Sequence, residues 1–136
     1  MERITIKANV KSSAKKVWEL WTNPKHIVKW NTASEDWHTP RAENDLRVGG
    51  QFLSRMEAKD GSFGFDFIGI YDEVEPLKRI AYTMEDGRKA EIDFKENQES
   101  VEIITVFDAE SQNPIDMQRT GWQAILDNFK IYAESN

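Results

Sequence analysis

From Arg3 to Val10 the chain alternates, with Ile4, Ile6, Ala8 and Val10 on one side and Arg3, Thr5, Lys7 and Asn9 on the other. That period predicts a half-buried strand. Ser12 and Ser13 then offer a cap for a short helix whose Ala14, Val17, Trp18 and Trp21 share one face. Asn23-Pro24 reads as a stop and a restart, giving a second short helix through about Trp30 with Ile27 and Val28 apolar. Between Asn31 and Asn44 the pattern dissolves around Trp37, His38 and Pro40, and a loop is expected.

Strand periods return from Asp45. Gly49-Gly50 separates Leu46–Val48 from a run that puts Phe52, Ser54 and Met56 on one face. Asp60-Gly61 is a hairpin signal, after which Phe63, Phe65, Phe67, Gly69 and Tyr71 fall in one phase and Ile68, Ile70 and Val74 in the other. Both phases are apolar in the second half of that run, which predicts a long central strand covered on both sides there, with Gly69 a candidate bulge. Glu75-Pro76 ends it. Ile80, Tyr82 and Met84, then Ala90, Ile92 and Phe94 after the Asp86-Gly87 turn, then Val101, Ile103, Thr105 and Phe107, continue as short alternating runs. Direct hairpin connections make this an antiparallel meander.

The last stretch, Asn113 to Ser135, changes period. Trp122, Ile125, Leu126, Phe129, Tyr132 and Ala133 recur at helical spacing, opposite Gln118, Arg119, Gln123, Asp127, Lys130 and Glu134. Asn113 is a candidate cap before Pro114. A helix with so wide an apolar face needs cover, and the strands supply it. The expected fold is α+β: one strand, two short helices, about six further strands and a long amphipathic helix, all within one domain spanning the 136 residues.

Composition narrows the function. The net charge of −6 disfavours nucleic acid and acidic membrane surfaces as partners. The absence of cysteine excludes disulfides and thiol chemistry. The N-terminus reads as no secretory signal and no run reaches membrane-spanning length, so a cytoplasmic protein without membrane insertion is expected. Five Trp and seven Phe are a heavy aromatic load. Rings at Trp30, Trp37, Phe52, Phe65, Phe67, Tyr82, Phe94, Phe107, Trp122 and Phe129 either fill the core or, together with Met56, Met84, Met117, Ile125 and Leu126, line an apolar pocket between sheet and helix.

Polar candidates are few. Ser54 and Thr105, in phase with apolar neighbours, are expected inside; Arg55, Arg88, Asp66 and Asp93 are expected on the outer face. His26 and His38 lack a recognised ligand spacing, so no metal is expected, and no cofactor motif is present; His38 is a candidate hydrogen-bonding group at a cavity mouth. Gly121 costs the helix about 1 kcal/mol relative to alanine, and a close strand or room for a ligand would account for it. No nucleophile elbow or buried acid points to catalysis.

Four segments resemble a known family: DLRVGGQF at Asp45–Phe52, GIYDEVEP at Gly69–Pro76 with RIAYT after it, the turn at Asp86–Arg88, and GWQAILDNF at Gly121–Phe129. They are similar, in register, to the AHSA1-like (activator of Hsp90 ATPase homologue 1-like) branch of the START/Bet v1-like (SRPBCC) superfamily. The resemblance implies the helix-grip fold, in which a curved antiparallel sheet wraps the C-terminal helix around a hydrophobic cavity. It implies binding of a small hydrophobic molecule as the leading function and a chaperone-associated or stress-response module as the alternative. A cyclase or hydrolase acting on an aromatic or polyketide-like substrate ranks last. The chain has no room for the extra N-terminal domain of the co-chaperone, so ATPase stimulation is not expected. The sequence leaves monomer or dimer open.

Overall fold

The alternation of residues 3–10 becomes β1 (Arg3–Val10), and the serine and asparagine caps then set two helices, α1 (Ala14–Thr22) and α2 (Pro24–Trp30). The computed structural model describes residues 2–136. Ser13 Oγ accepts from the Lys16 N–H, and Asn23 does double duty. Its own N–H closes α1 on the Glu19 carbonyl, while its side chain accepts from the Lys25 N–H to open α2. Six strands follow, β2 (Trp37–Asn44), β3 (Gln51–Ala58), β4 (Gly64–Glu75), β5 (Arg79–Met84), β6 (Lys89–Glu96) and β7 (Val101–Asp108), before α3 (Ile115–Glu134).

All the strands form one antiparallel sheet in the order β1-β7-β6-β5-β4-β3-β2. The sheet curls into a half-barrel around α3. Helices α1 and α2 carry the chain from one sheet edge to the other. The β1 edge is closed by α3: Gln123 Nε2 donates to the Lys7 carbonyl, Lys130 Nζ to the Asn9 carbonyl, and the Lys11 N–H donates to Glu134. Polar side chains on the helix thus occupy backbone groups that would otherwise leave an open edge.

Six local expectations are corrected. Residues 37–44 are a strand, not a loop: β2 is the opposite edge, paired with β3 and broken in register between His38 and Arg41. Pro40 falls inside that break, where an edge strand tolerates a missing donor. Leu46–Val48 is instead a turn, in which the Arg47 N–H donates to Asp45 and the Gly50 N–H to Arg47.

The bulge in β4 lies at Asp72, between the Tyr71–Tyr82 and Glu73–Ala81 pairs, rather than at Gly69. It explains the phase of Val74, whereas Ile68 and Ile70 precede it on the outer face. Before it the odd positions Phe67 and Tyr71 face α3; after it Val74 does, because one extra residue flips the faces. Ile70, on the other face, is exposed, so β4 is not covered on both sides. Finally, Asn113 does not cap α3. Pro114 holds the cap position without a side-chain bond, and Gln118, expected on the solvent face, is buried beneath the preceding loop. Its amide donates to the carbonyls of Glu110 and Asn113 and accepts from the Glu110 N–H.

Candidate functional site

The helix α3 meets two different environments along its length. Its C-terminal half is packed solid. Phe129 is fully buried between Trp21 and Trp30, at centroid distances of 4.8 and 4.9 Å, and Trp21 also meets Phe94 at 5.6 Å. The Trp30 indole N–H donates to the Leu20 carbonyl at 3.0 Å, which fixes the ring where it seals this end. Beyond it, His26 Nδ1 and the Tyr132 hydroxyl share a hydrogen bond of 2.7 Å.

The N-terminal half of α3 stands over a cavity of about 550 Å³. Gly121, Trp122, Ile125 and Leu126 form its roof, and Ile80, Tyr82, Ile92 and Thr105 part of its floor. Phe52, Ser54, Met56 and Phe67 form the wall on β3 and β4, and Trp37 and Phe65 stand at the rim. Trp122 is held by stacking on Phe107 at 3.8 Å with a 9° interplanar angle. Gly69 belongs to this wall's construction: a Cβ there would lie 2.4 Å from the Phe52 ring. Only glycine lets Phe52 lie flat across β4 and reach Tyr82, 4.7 Å away. The volume is within the range of small-molecule sites, and the lining is mainly apolar as in those sites.

A family model described as activator of Hsp90 ATPase homolog 1-like protein matches residues 11–134. The chain belongs to this AHSA1-like family. The solved structure of an AHSA1-like protein from Aeromonas hydrophila is 42% identical, with a TM-score of 0.93 over 98% of this chain and 93% of that one. A protein from Cytophaga hutchinsonii is 48% identical, with a TM-score of 0.85 and the same coverage, 98% and 93%. A Chromobacterium violaceum protein, 21% identical over 100% of both chains, shares the fold at a TM-score of 0.88. Curated protein sequences give no match to the chain.

Eleven of the positions expected to surround a pocket in this AHSA1-like domain do so: Trp30, Trp37, Phe52, Ser54, Met56, Phe65, Phe67, Tyr82, Trp122, Ile125 and Leu126. Five do not. Phe94 and Phe129 belong to the filled half, Phe107 is fully buried behind Trp122, Met84 is buried in the core outside the cavity, and Met117 is 60% exposed on the helix. The apolar stripe of α3 runs its whole length, but only the half without α1 and α2 against it faces empty space. Two further groups reach inward. Gly121 has no neighbouring element within 4 Å of where its Cβ would stand, so no close strand accounts for it. Arg88, expected outside, lines the cavity. It shares the phase of Ala90, Ile92 and Phe94, and that parity was the signal for its direction.

Trp21, Ile27, Asn31 and Tyr71 also line the cavity. Asn31 and Tyr71 are tied into the wall: Asn31 Nδ2 donates to Ser54 Oγ at 3.1 Å, and the Tyr71 hydroxyl donates to Asn44 Oδ1 at 2.5 Å. His38 lies outside this cavity, 3.7 Å from Glu57. Among the described residues no cluster of His, Asp and Glu could hold a metal ion, and no helix is long and apolar enough to cross a membrane.

Burial pushes the phenols of Tyr71 and Tyr82 well above their ordinary range, and the Arg88 charge opposes this at Tyr82. In the unfolded chain both ionise near pH 10. The folded form holds them neutral above that, so unfolding releases protons and stability falls as pH rises past about 10. Each phenol contributes a slope of about 1.4 kcal/mol per pH unit there. Urea titrations from pH 8 to 11 should show the decline, halved in Tyr71→Phe; an unchanged slope in that variant would contradict the assignment.

Proposed function

We propose that this protein binds a small hydrophobic molecule in the cavity between its curled sheet and the N-terminal half of α3. The observation that carries the reading is an unfilled space of about 550 Å³ under a helix whose other half is packed solid. Native interiors leave few voids larger than a water molecule, so an apolar space of this size is a shape kept for something. Its walls are rigid: aromatic pairs brace Phe52, Phe67 and Trp122. The polar atoms around it include the hydroxyls of Ser54, Tyr82 and Thr105, which suit orientation of a guest more than acid–base chemistry. The membership in a ligand-binding fold family supports the same reading.

The test is a titration with 1-aminoanthracene, a neutral fluorophore that brightens in apolar surroundings. Saturable one-to-one enhancement is expected, with a rise in the unfolding midpoint; at a hundred times Kd the gain is about 2.7 kcal/mol. A flat titration together with an unmoved midpoint would remove this reading.

A further inference from the structure

At one end of the cavity, where α3 begins, the lining stops being apolar. The β5–β6 turn, with Gly87 at φ 90°, delivers Arg88 there. The Arg88 side chain is mostly buried and is held at two points. Nε donates to Asp86 Oδ2 at 2.7 Å and Nη1 reaches the Asp108 carbonyl at 3.4 Å. Among the described residues Nη2 has no partner. Asp86 sits at the exposed tip of the turn, so water weakens its hold on the guanidinium charge.

Two hydroxyls add to this. Every sealed side-chain polar atom among the described residues has a hydrogen-bond partner. Tyr82 is 7% exposed and Thr105 4%, and neither hydroxyl makes a hydrogen bond, so both oxygens open onto the cavity they line. Tyr82 is close enough to Arg88 to feel its charge. A buried hydroxyl left without a partner is costly, and here a guest's oxygen can supply one. The acids nearby are accounted for: Glu110 lines the same end, where its carboxylate accepts from the Asn113 amide, and Glu43 is exposed.

Resting on the cavity reading above, we propose that the ligand is an amphipathic anion. Its apolar body lies under Trp122 and Ile125, and its terminal carboxylate accepts from Arg88 Nη2 and the Tyr82 hydroxyl. A two-oxygen anion can accept from both the free guanidinium nitrogen and the hydroxyl, and its charge complements the arginine, which a single hydroxyl or an ammonium does not.

The experiment displaces 1-aminoanthracene with three chains of equal length: laurate, dodecan-1-ol and dodecylamine. Laurate is expected to bind at least tenfold more tightly than either. In Arg88→Gln the laurate-to-dodecanol affinity ratio should collapse towards one, and in Tyr82→Phe it should fall several-fold. Tyr82→Phe keeps the ring, so it decides the matter if Arg88→Gln fails to fold. If the fluorophore binds but dodecanol or dodecylamine competes as well as laurate, the anionic end is wrong while the cavity reading stands. If neither the fluorophore nor any of the three chains binds, both readings fall together.

Discussion

Phe129→Ala should cost about 3–5 kcal/mol of folding stability, the range for removing a fully buried aromatic side chain. Phe129 has no exposed surface and is clamped by Trp21 and Trp30 at 4.8 and 4.9 Å. Those two rings cannot close the gap, because Trp30 is tethered to the Leu20 carbonyl and Trp21 rests edge-on against Phe94. The void would remain, and typical domains have only about 5–15 kcal/mol to lose. One turn earlier, Ile125→Ala should cost less than about 2 kcal/mol, since Ile125 faces the cavity and already lacks contacts on that side. Urea unfolding of both variants, with equal m-values, measures the contrast. Equal costs would show that α3 is not divided into a packed half and a hollow half.

That division marks where the sequence stopped being informative. The helical stripe from Trp122 to Ala133 is legible because burial of one face is a local, periodic demand. Whether a given residue on the stripe meets a side chain or a void depends on α1 and α2, which arrive from far away in the chain. Hence Phe129 and Trp122 look alike in sequence, yet one is core and the other is cavity roof. Met117 fails for a simpler reason: it lies at the edge of the stripe, in the first turn, where nothing crosses over it.

Elsewhere the misreadings follow from non-local pairing. In β2, Trp37–Asn44, there is no alternation to read, since Pro40 and the register shift spoil the period and pairing with the distant β3 makes the strand. In β4 the bulge at Asp72 swaps faces, so Val74 turns inward from the same sequence phase as Ile68 and Ile70, which precede the bulge on the outer face. Gln118 hides its burial because its partners are backbone atoms of a loop, which leave no trace in side-chain pattern. Arg88 was legible by parity, but its charge argued for the outer face; a guanidinium is buried only where donors are put to use.

Gly121→Phe should abolish binding of 1-aminoanthracene, lowering affinity at least tenfold, while leaving the protein as stable as before or slightly more so. Glycine within a helix costs about 1 kcal/mol relative to alanine, and phenylalanine recovers a few tenths of that. Such a cost at a packed site would be explained by a crossing strand, but no neighbouring element stands within 4 Å of the missing Cβ. A ring added here therefore meets open space, and helical side chains lean towards the preceding turn, over Gln118 and the polar end of the cavity. It takes up the volume the guest would use without displacing the core. Fluorescence titration and urea unfolding of one variant read both halves of the prediction. Unchanged affinity would place the fluorophore elsewhere on the protein. A loss of more than about 1 kcal/mol would mean that the space beside Gly121 is not free, because overpacking is what carries such a penalty. Retained stability with lost binding is the combination that only an open ligand cavity produces.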